Sequence, residues 1–289
     1  MIGITGATGQ LGGLVLEHVL ARGVNAARLV ALARRPEALD ERARAWGIGV
    51  RRADYEDPAG MIVALRGIET LLFVAGNAPT WPRLEQHRNV VLAAREAGVG
   101  HVVYTGFVDH DSDSPFPFAA THAAAEAWLR GSGLDWTFLR NAIYAELLER
   151  EAPAARGSGS FGRVGPQTPS LWATRSELAE AAAIVLLEPA PHAGRAIQLD
   201  EGRAWTGQQL AERIARASGR AVEAVQLDDA SVRAGLVAIG APPGLVEAMV
   251  GMHGSLEQRR FAAPSPALGE LLGRTPTSVA DVIDGALAH

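Results

Sequence analysis

The chain contains no cysteine, and it contains no lysine either: all 27 of its basic residues are arginine. The first absence excludes disulfides, thiolate catalysis and thiolate metal sites. The second excludes a phosphate-loop lysine, a Schiff-base lysine and any tyrosine–lysine acid pair. Aromatic residues make up only 6%, and the three tyrosines are Tyr55, Tyr104 and Tyr144. No apolar run is long enough to span a bilayer, and the first residues lack the basic segment of an export signal. A net charge of −5 argues against a nucleic-acid or anionic-membrane partner. These features predict a soluble, cytoplasmic protein, and 289 residues suffice for one large α/β domain or a main domain with a smaller lobe.

What is present begins at once. The opening MIGITGATGQLG runs an apolar strand into Gly6, Gly9 and Gly12, followed by an apolar-periodic helix carrying Leu11, Leu14, Val15 and Val19. Gly6 provides backbone freedom, Gly9 lets the backbone approach a bulky anion, and Gly12 permits close packing of helix on strand. Unpaired N–H groups at the helix start, backed by its dipole, suit a pyrophosphate. The stretch Gly6, Thr8, Gly9, Gln10, Leu11 and Gly12 is therefore the predicted dinucleotide cradle.

The second predicted strand ends at Arg34 and Arg35 with no acid nearby. An NAD enzyme places a carboxylate there for the ribose 2′-hydroxyl, whereas guanidinium groups suit a 2′-phosphate. The cofactor predicted is NADP(H), with Arg34 as the main contact. The alternative is a solvated basic turn. After the third strand, Asp54 and Tyr55 offer a carboxylate for the adenine amino group and a ring for its face, although Asp54 equally suits the cap of a following turn. The fourth strand ends in Ala75, Gly76 and Asn77, small enough for the cofactor's phosphates and nicotinamide ribose to pass, and Thr105 ends the fifth.

Five strand–helix alternations predict a doubly wound parallel sheet, a Rossmann-type α/β fold. Residues 1–150 form the predicted cofactor domain and residues 151–289 mainly a substrate lobe, with a strand near 195–200 returning to the main sheet. Asn141 and Tyr144 follow the sixth strand, where ligands gather in open parallel sheets; they read equally well as a helix cap and an interface aromatic. Residues 154–165, rich in Gly and Ser, are expected to form a mobile loop. Arg175 and Ser176 are the expected cap of a helix over 174–187. Asp109, His110, Asp111 and Asp113 are hard ligands, but a solvated acidic loop is the expected reading, and no metal site is predicted.

GATGQLG, LARRP, ADYEDP, QHRNVVLAAREAGVGHVVYT and LRNAIYAE together resemble the NmrA-like atypical short-chain dehydrogenases. Within them the chain is most similar to the NADPH-dependent quinone oxidoreductase type 2 family, with triphenylmethane reductase as a relative. The resemblance implies an NADPH-binding Rossmann domain, a smaller C-terminal lobe and a substrate cleft between them. By position it gives the pyrophosphate to residues 6–12, the 2′-phosphate to Arg34, the adenine to Asp54 and Tyr55, and the nicotinamide surroundings to Asn141 and Tyr144. Two departures stand out. Gly106 replaces a serine usual after Tyr-Thr, and no lysine follows Glu126, so the ordinary tyrosine–lysine mechanism is excluded.

The expected activity is hydride transfer to a quinone or similar conjugated acceptor, whose product anion needs hydrogen-bond stabilisation more than immediate protonation. Asn141 and Tyr144 would donate to the acceptor oxygen, and water or His122 would supply the proton. A non-catalytic NADP(H) sensor of the NmrA type is the competing reading. An epimerase is disfavoured because it needs tyrosine and lysine. A homodimer is a further expectation.

Overall fold

A computed structural model describes residues 1–76, 78–163 and 165–288, with Asp40 described by its backbone alone. In chain order the elements begin β1 (Ile2–Thr5), α1 (Gln10–Ala21), β2 (Leu29–Ala33), α2 (Asp40–Trp46), β3 (Gly49–Arg52), α3 (Pro58–Leu65) and β4 (Thr70–Val74). They continue with α4 (Thr80–Glu96), β5 (His101–Phe107), α5 (Pro117–Arg130), β6 (Asp135–Asn141), β7 (Ile143–Tyr144), α6 (Leu147–Ser158) and β8 (Ser160–Arg163). Then come β9 (Pro169–Ala173), α7 (Arg175–Leu187), β10 (Arg195–Leu199), β11 (Ala204–Thr206), α8 (Gly207–Ser218) and β12 (Glu223–Gln226). The chain closes with α9 (Asp229–Ala238), α10 (Pro243–Glu257), α11 (Ala267–Leu272) and α12 (Val279–Leu287).

The chain forms two compact units that interleave along the sequence. The first comprises Met1–Phe107, Thr121–Arg140 and Leu178–Ile197. Its seven-stranded sheet has the order β10-β6-β5-β4-β1-β2-β3, and the β1–β2, β2–β3, β1–β4 and β4–β5 pairs are parallel. The expected return of a strand near residue 195 is β10, at the sheet edge beside β6. The strand order reverses between β1 and β4, the switch point where open α/β sheets bind ligands. The strands are short and apolar, and Ile4, Leu32, Leu71, Phe73 and Tyr104 are fully buried among them. Met61, Leu65, Val90, Val91, Ala94, Ala125 and Leu129, from α3, α4 and α5, pack on Phe73, Tyr104 and Phe138.

The second unit comprises Val108–Ala120, Asn141–Glu177 and Gln198–His289. It holds a three-stranded sheet of order β11-β9-β7 and a parallel pair, β8 with β12. Three expectations change here. Most of residues 154–165 is ordered rather than loop: α6 runs to Ser158, Gly159 caps it at φ 73°, and β8 begins at Ser160, while Val164 lies outside the described residues. The buried stripe of Leu148, Ala152 and Ala155 outweighs the Gly and Ser content and holds this stretch in a helix. The cap of α7 is Thr174, whose hydroxyl oxygen accepts from the Glu177 N–H at 3.3 Å, rather than Arg175 and Ser176.

The acidic segment is the third. Asp109 is buried, with Ser114 Oγ donating to it at 2.5 Å and Ser255 Oγ donating to the same oxygen, while Asp111 pairs with Arg260 at 2.7 Å. Asp109 thus fastens this segment to α10, while Asp111 and Asp113 stay exposed, as expected of a solvated acidic loop. A Cβ on Gly251 would lie 2.3 Å from the Pro115 carbonyl oxygen, so the helix approaches that segment backbone to backbone.

Candidate cofactor and active site

The glycine loop has the geometry that an anion cradle requires. Gly6 has φ +61°, Gly9 donates to the Gly6 carbonyl at 2.8 Å, and Gly9 is the N-cap of α1 with no side-chain hydrogen bond. No acidic residue occupies the first turn of α1. The helix thus presents its N-terminal dipole to a ligand. Thr8 and Gln10 are exposed beside this turn, whereas the Leu11 side chain is buried and only its backbone remains to serve a ligand. A Cβ on Gly12 would sit 2.4 Å from the Gly6 carbonyl oxygen, which explains why α1 can start so close under the turn.

Arg34 and Arg35 project from the end of β2, both exposed, and among the described residues neither guanidinium has a hydrogen bond or ion pair. Two free guanidinium groups on a turn repel one another and are best satisfied by a doubly charged anion such as a phosphate monoester.

Asp54 and Tyr55 share one turn but differ in availability. One oxygen of Asp54 accepts from the Glu56 N–H at 3.1 Å, so it does act in the turn, while the cap of α3 itself is Asp57, bonded to Gly60 N–H at 2.9 Å. The Tyr55 hydroxyl lies 2.5 Å from Thr5 Oγ1 and 2.8 Å from the Val74 carbonyl oxygen. Burial pushes this phenol well above its ordinary range, so it remains a neutral tie between β1 and β4. Its ring meets Phe73 edge-on at 5.6 Å.

Beyond β4 the Ala75 N–H donates to Thr105 Oγ1 at 3.0 Å, and the Gly76 N–H donates to His87 Nε2 at 3.3 Å. Thr105 is buried and serves this loop through its side chain. A Cβ on Gly76 would touch Gln86 and approach the Tyr55 ring, so glycine keeps the loop low over that ring. Asn77 lies outside the described residues. Burial, aided by the charge of Arg83, holds His87 down to about 3, so the imidazole is neutral and its Nε2 is free to accept.

His122 is buried in the same unit, with Nδ1 2.8 Å from the Tyr104 hydroxyl and Nε2 3.5 Å from Arg83 Nη2. Glu126, one turn on, is 1% exposed and bound by Arg130 at 2.8 Å and by both Nε and Nη2 of Arg140 at 2.9 and 2.7 Å. That carboxylate is committed to structure. Gly106 has ordinary space around it: a Cβ there would meet the Tyr104 ring at 3.5 Å.

Asn141 and Tyr144 belong to the second unit. Asn141 is 4% exposed, its backbone carbonyl accepts from the Val108 N–H, and its side-chain oxygen has no hydrogen-bond partner among the described residues. A buried amide oxygen costs free energy when left unpaired, so an N–H or O–H donor from water or a ligand would stabilise it. The Tyr144 ring lies under the Arg175 guanidinium at 4.4 Å.

Three residues of this region escaped sequence reading: Thr5, Arg83 and the acceptor role of His87. Arg83 had a legible signal. It begins the stripe Arg83, His87, Val90, Val91, Ala94 on α4, and a cation on an otherwise apolar face is exceptional.

A sequence family described as NAD(P)H-binding matches residues 6–189. The quinone oxidoreductase 2 of Escherichia coli is 38% identical over 283 residues, covering 98% of this chain and 97% of that one. An NmrA-like family domain-containing oxidoreductase of Aspergillus flavus is 32% identical over 97% of this chain and 92% of its own. Among solved structures, the NADPH-dependent quinone oxidoreductase of Escherichia coli complexed with NADPH superimposes with a TM-score of 0.90 at 37% identity, covering 99% of each chain. The Citrobacter sp. triphenylmethane reductase complexed with NADP(H) does so with a TM-score of 0.90 at 33% identity, again over 99% of each.

Proposed function

The chain belongs to the NmrA-like, NAD(P)H-binding family, and on that footing we propose that it is an NADPH-dependent reductase of quinones or similarly conjugated acceptors. The observation that carries the cofactor choice is the uncapped start of α1 together with two exposed arginines at the tip of β2 that have no partner among the described residues. When bound, NADPH supplies a hydride to the acceptor, leaving one acceptor oxygen anionic and NADP⁺ to be released.

The chain's own groups then have distinct tasks. The α1 N-terminus and the loop of Gly6, Thr8, Gly9, Gln10, Leu11 and Gly12 hold the pyrophosphate. Arg34 binds the 2′-phosphate, with Arg35 beside it. Asp54 and the Tyr55 ring receive the adenine, and Ala75, Gly76 and Thr105 border the nicotinamide ribose. The Asn141 amide and the Tyr144 hydroxyl donate to the acceptor oxygen, a charge-assisted role that requires no acid of matched pKa. One solvent proton completes the hydroquinone, and the buried His122 shapes the surroundings of that step. The protein works in the cytoplasm, with homodimerisation as a further proposal.

Asn141→Ala tests the assignment. The expected result is a fall in turnover of about tenfold or more with NADPH affinity unchanged. Unchanged turnover and unchanged acceptor affinity would remove Asn141 from the site. Tight NADP(H) binding without turnover on any acceptor would favour the sensor reading, to which the missing hydroxyl at Gly106 lends support.

A further inference from the structure

A reductase without lysine still has to stabilise the anion that hydride transfer creates. Among the buried polar residues of the first unit one cation stands out. Arg83 is 6% exposed on the buried face of α4, at the level where β4 and β5 end. Phe73 and Tyr104 are register partners there, and so are Val74 and Thr105. Arg83 Nη2 lies 3.5 Å from His122 Nε2, and His122 Nδ1 lies 2.8 Å from the Tyr104 hydroxyl. His87, the acceptor for Gly76 N–H, stands beside the same group, its ring 5.8 Å from Tyr104 and 6.5 Å from His122.

The chemistry of these groups dictates a direction. A guanidinium has donors only and stays charged, so the ring nitrogen facing it must carry a lone pair. His122 then has its proton on Nδ1 and donates to Tyr104, leaving the tyrosine's own O–H turned away from the imidazole. The reverse tautomer would set an Nε2–H against the N–H of a cation in a site of low dielectric. Every link therefore points its positive end the same way, from α4 through α5 toward β5.

Resting on the reductase reading, we propose that Arg83 is a positioning residue for hydride transfer. Its charge fixes the sequence Arg83→His122→Tyr104, and it supplies the positive potential that lysine supplies in ordinary short-chain dehydrogenases. The potential acts at the carboxyl ends of β4 and β5, where Ala75, Gly76 and Thr105 receive the nicotinamide ribose under that reading. Such preorganised charge favours the anionic acceptor over the neutral one without transferring a proton to it. Tyr104 remains protonated throughout, because burial holds its phenol above the ordinary range while Arg83 only partly offsets this.

The test joins tautomer and kinetics on the full-length chain. Selective ¹⁵N-histidine labelling, assigned with His122→Gln, reads which nitrogen of His122 carries the proton. The unmodified chain should show Nδ1–H, Arg83→Lys should preserve it, and Arg83→Met should lose it. In parallel, Arg83→Met should lower kcat about tenfold or more while its NADPH dissociation constant stays within about twofold, with Arg83→Lys recovering most of the loss. Retained NADPH binding doubles as the check that each variant is folded. An Nε2–H tautomer in the unmodified chain, or equal kcat in the Lys and Met variants, overturns the proposal and leaves the reductase reading intact. An Nδ1–H tautomer with no turnover by the unmodified chain overturns the reductase reading, and the positioning role of Arg83 with it.

Discussion

A Cβ on Gly12 would lie 2.4 Å from the carbonyl oxygen of Gly6 and 3.1 Å from that of Thr5. Two backbone segments, the start of α1 and the Thr5–Gly6 turn after β1, meet there, so nothing flexible can yield. Gly12→Ala should force the start of α1 away from β1, costing about 1–3 kcal/mol of stability and weakening NADPH binding by about tenfold or more. Gly13→Ala is the control, because its nearest neighbour would be at an ordinary 3.6 Å. Thermal unfolding and NADPH titration of the pair check this. Equal behaviour would show that the loop does not hold the pyrophosphate as described.

Among the described residues Arg34 and Arg35 have no hydrogen bond or ion pair, so their removal should leave folding untouched and cofactor choice altered. Arg34→Ala is expected to raise the dissociation constant for NADPH by about tenfold to a hundredfold, a loss of one charge-assisted phosphate contact, while NADH binding stays as it was. Titration with both cofactors reads the ratio directly. A parallel loss for NADH would mean that the arginine supports the loop rather than the 2′-phosphate.

The Tyr55 hydroxyl and ring make separable contributions. Tyr55→Phe removes the link to Thr5 and the Val74 carbonyl and should cost about 1 kcal/mol of stability while leaving NADPH affinity within about twofold. Tyr55→Ala removes the ring as well, and affinity should drop if the ring packs on adenine. Chemical denaturation gives the first quantity and cofactor titration the second.

Acid should destabilise the first unit through His87. Its folded-state value of about 3 lies below the ordinary 6.5. Between those values the unfolded chain binds a proton that the folded chain refuses. Stability present above pH 6.5 is therefore lost as pH falls, at up to about 1.4 kcal/mol per pH unit from this group. His101, His192 and His253 are also held low by burial and act in the same direction. His87→Gln keeps an acceptor for the Gly76 N–H but cannot titrate, so its unfolding free energy should fall less steeply from pH 6.5 to 4. Identical slopes would contradict the buried, neutral state of His87.

The elements most legible in the sequence were those whose signals are local. Gly6, Gly9 and Gly12 announce their turn because a backbone conformation or a close approach can be met only by glycine. Helices such as α3 (Pro58–Leu65) and α12 (Val279–Leu287) carry local signals of the same kind, a proline at the start of one and a capping box at the start of the other. Long-range partnerships were not legible. Nothing beside Thr5 reveals that its hydroxyl will organise Tyr55 and Val74, 50 and 69 residues away. Nothing around Asp109 reveals that Ser255, 146 residues later, will bury it. Composition misled once, at 154–165, where a buried alanine stripe outweighed the glycine and serine that suggested a loop. Arg83 is a cation on an apolar stripe, but its role depends on His122, which lies on another helix.

The central claim is that this chain reduces a conjugated acceptor with NADPH in spite of having no lysine. The direct measurement is loss of the reduced nicotinamide absorbance when the purified chain, NADPH and a panel of quinones are mixed. Steady multiple turnover is expected with at least one quinone, faster with NADPH than with NADH, and reduced by Asn141→Ala. Tight NADPH binding with no turnover across the whole panel would contradict it.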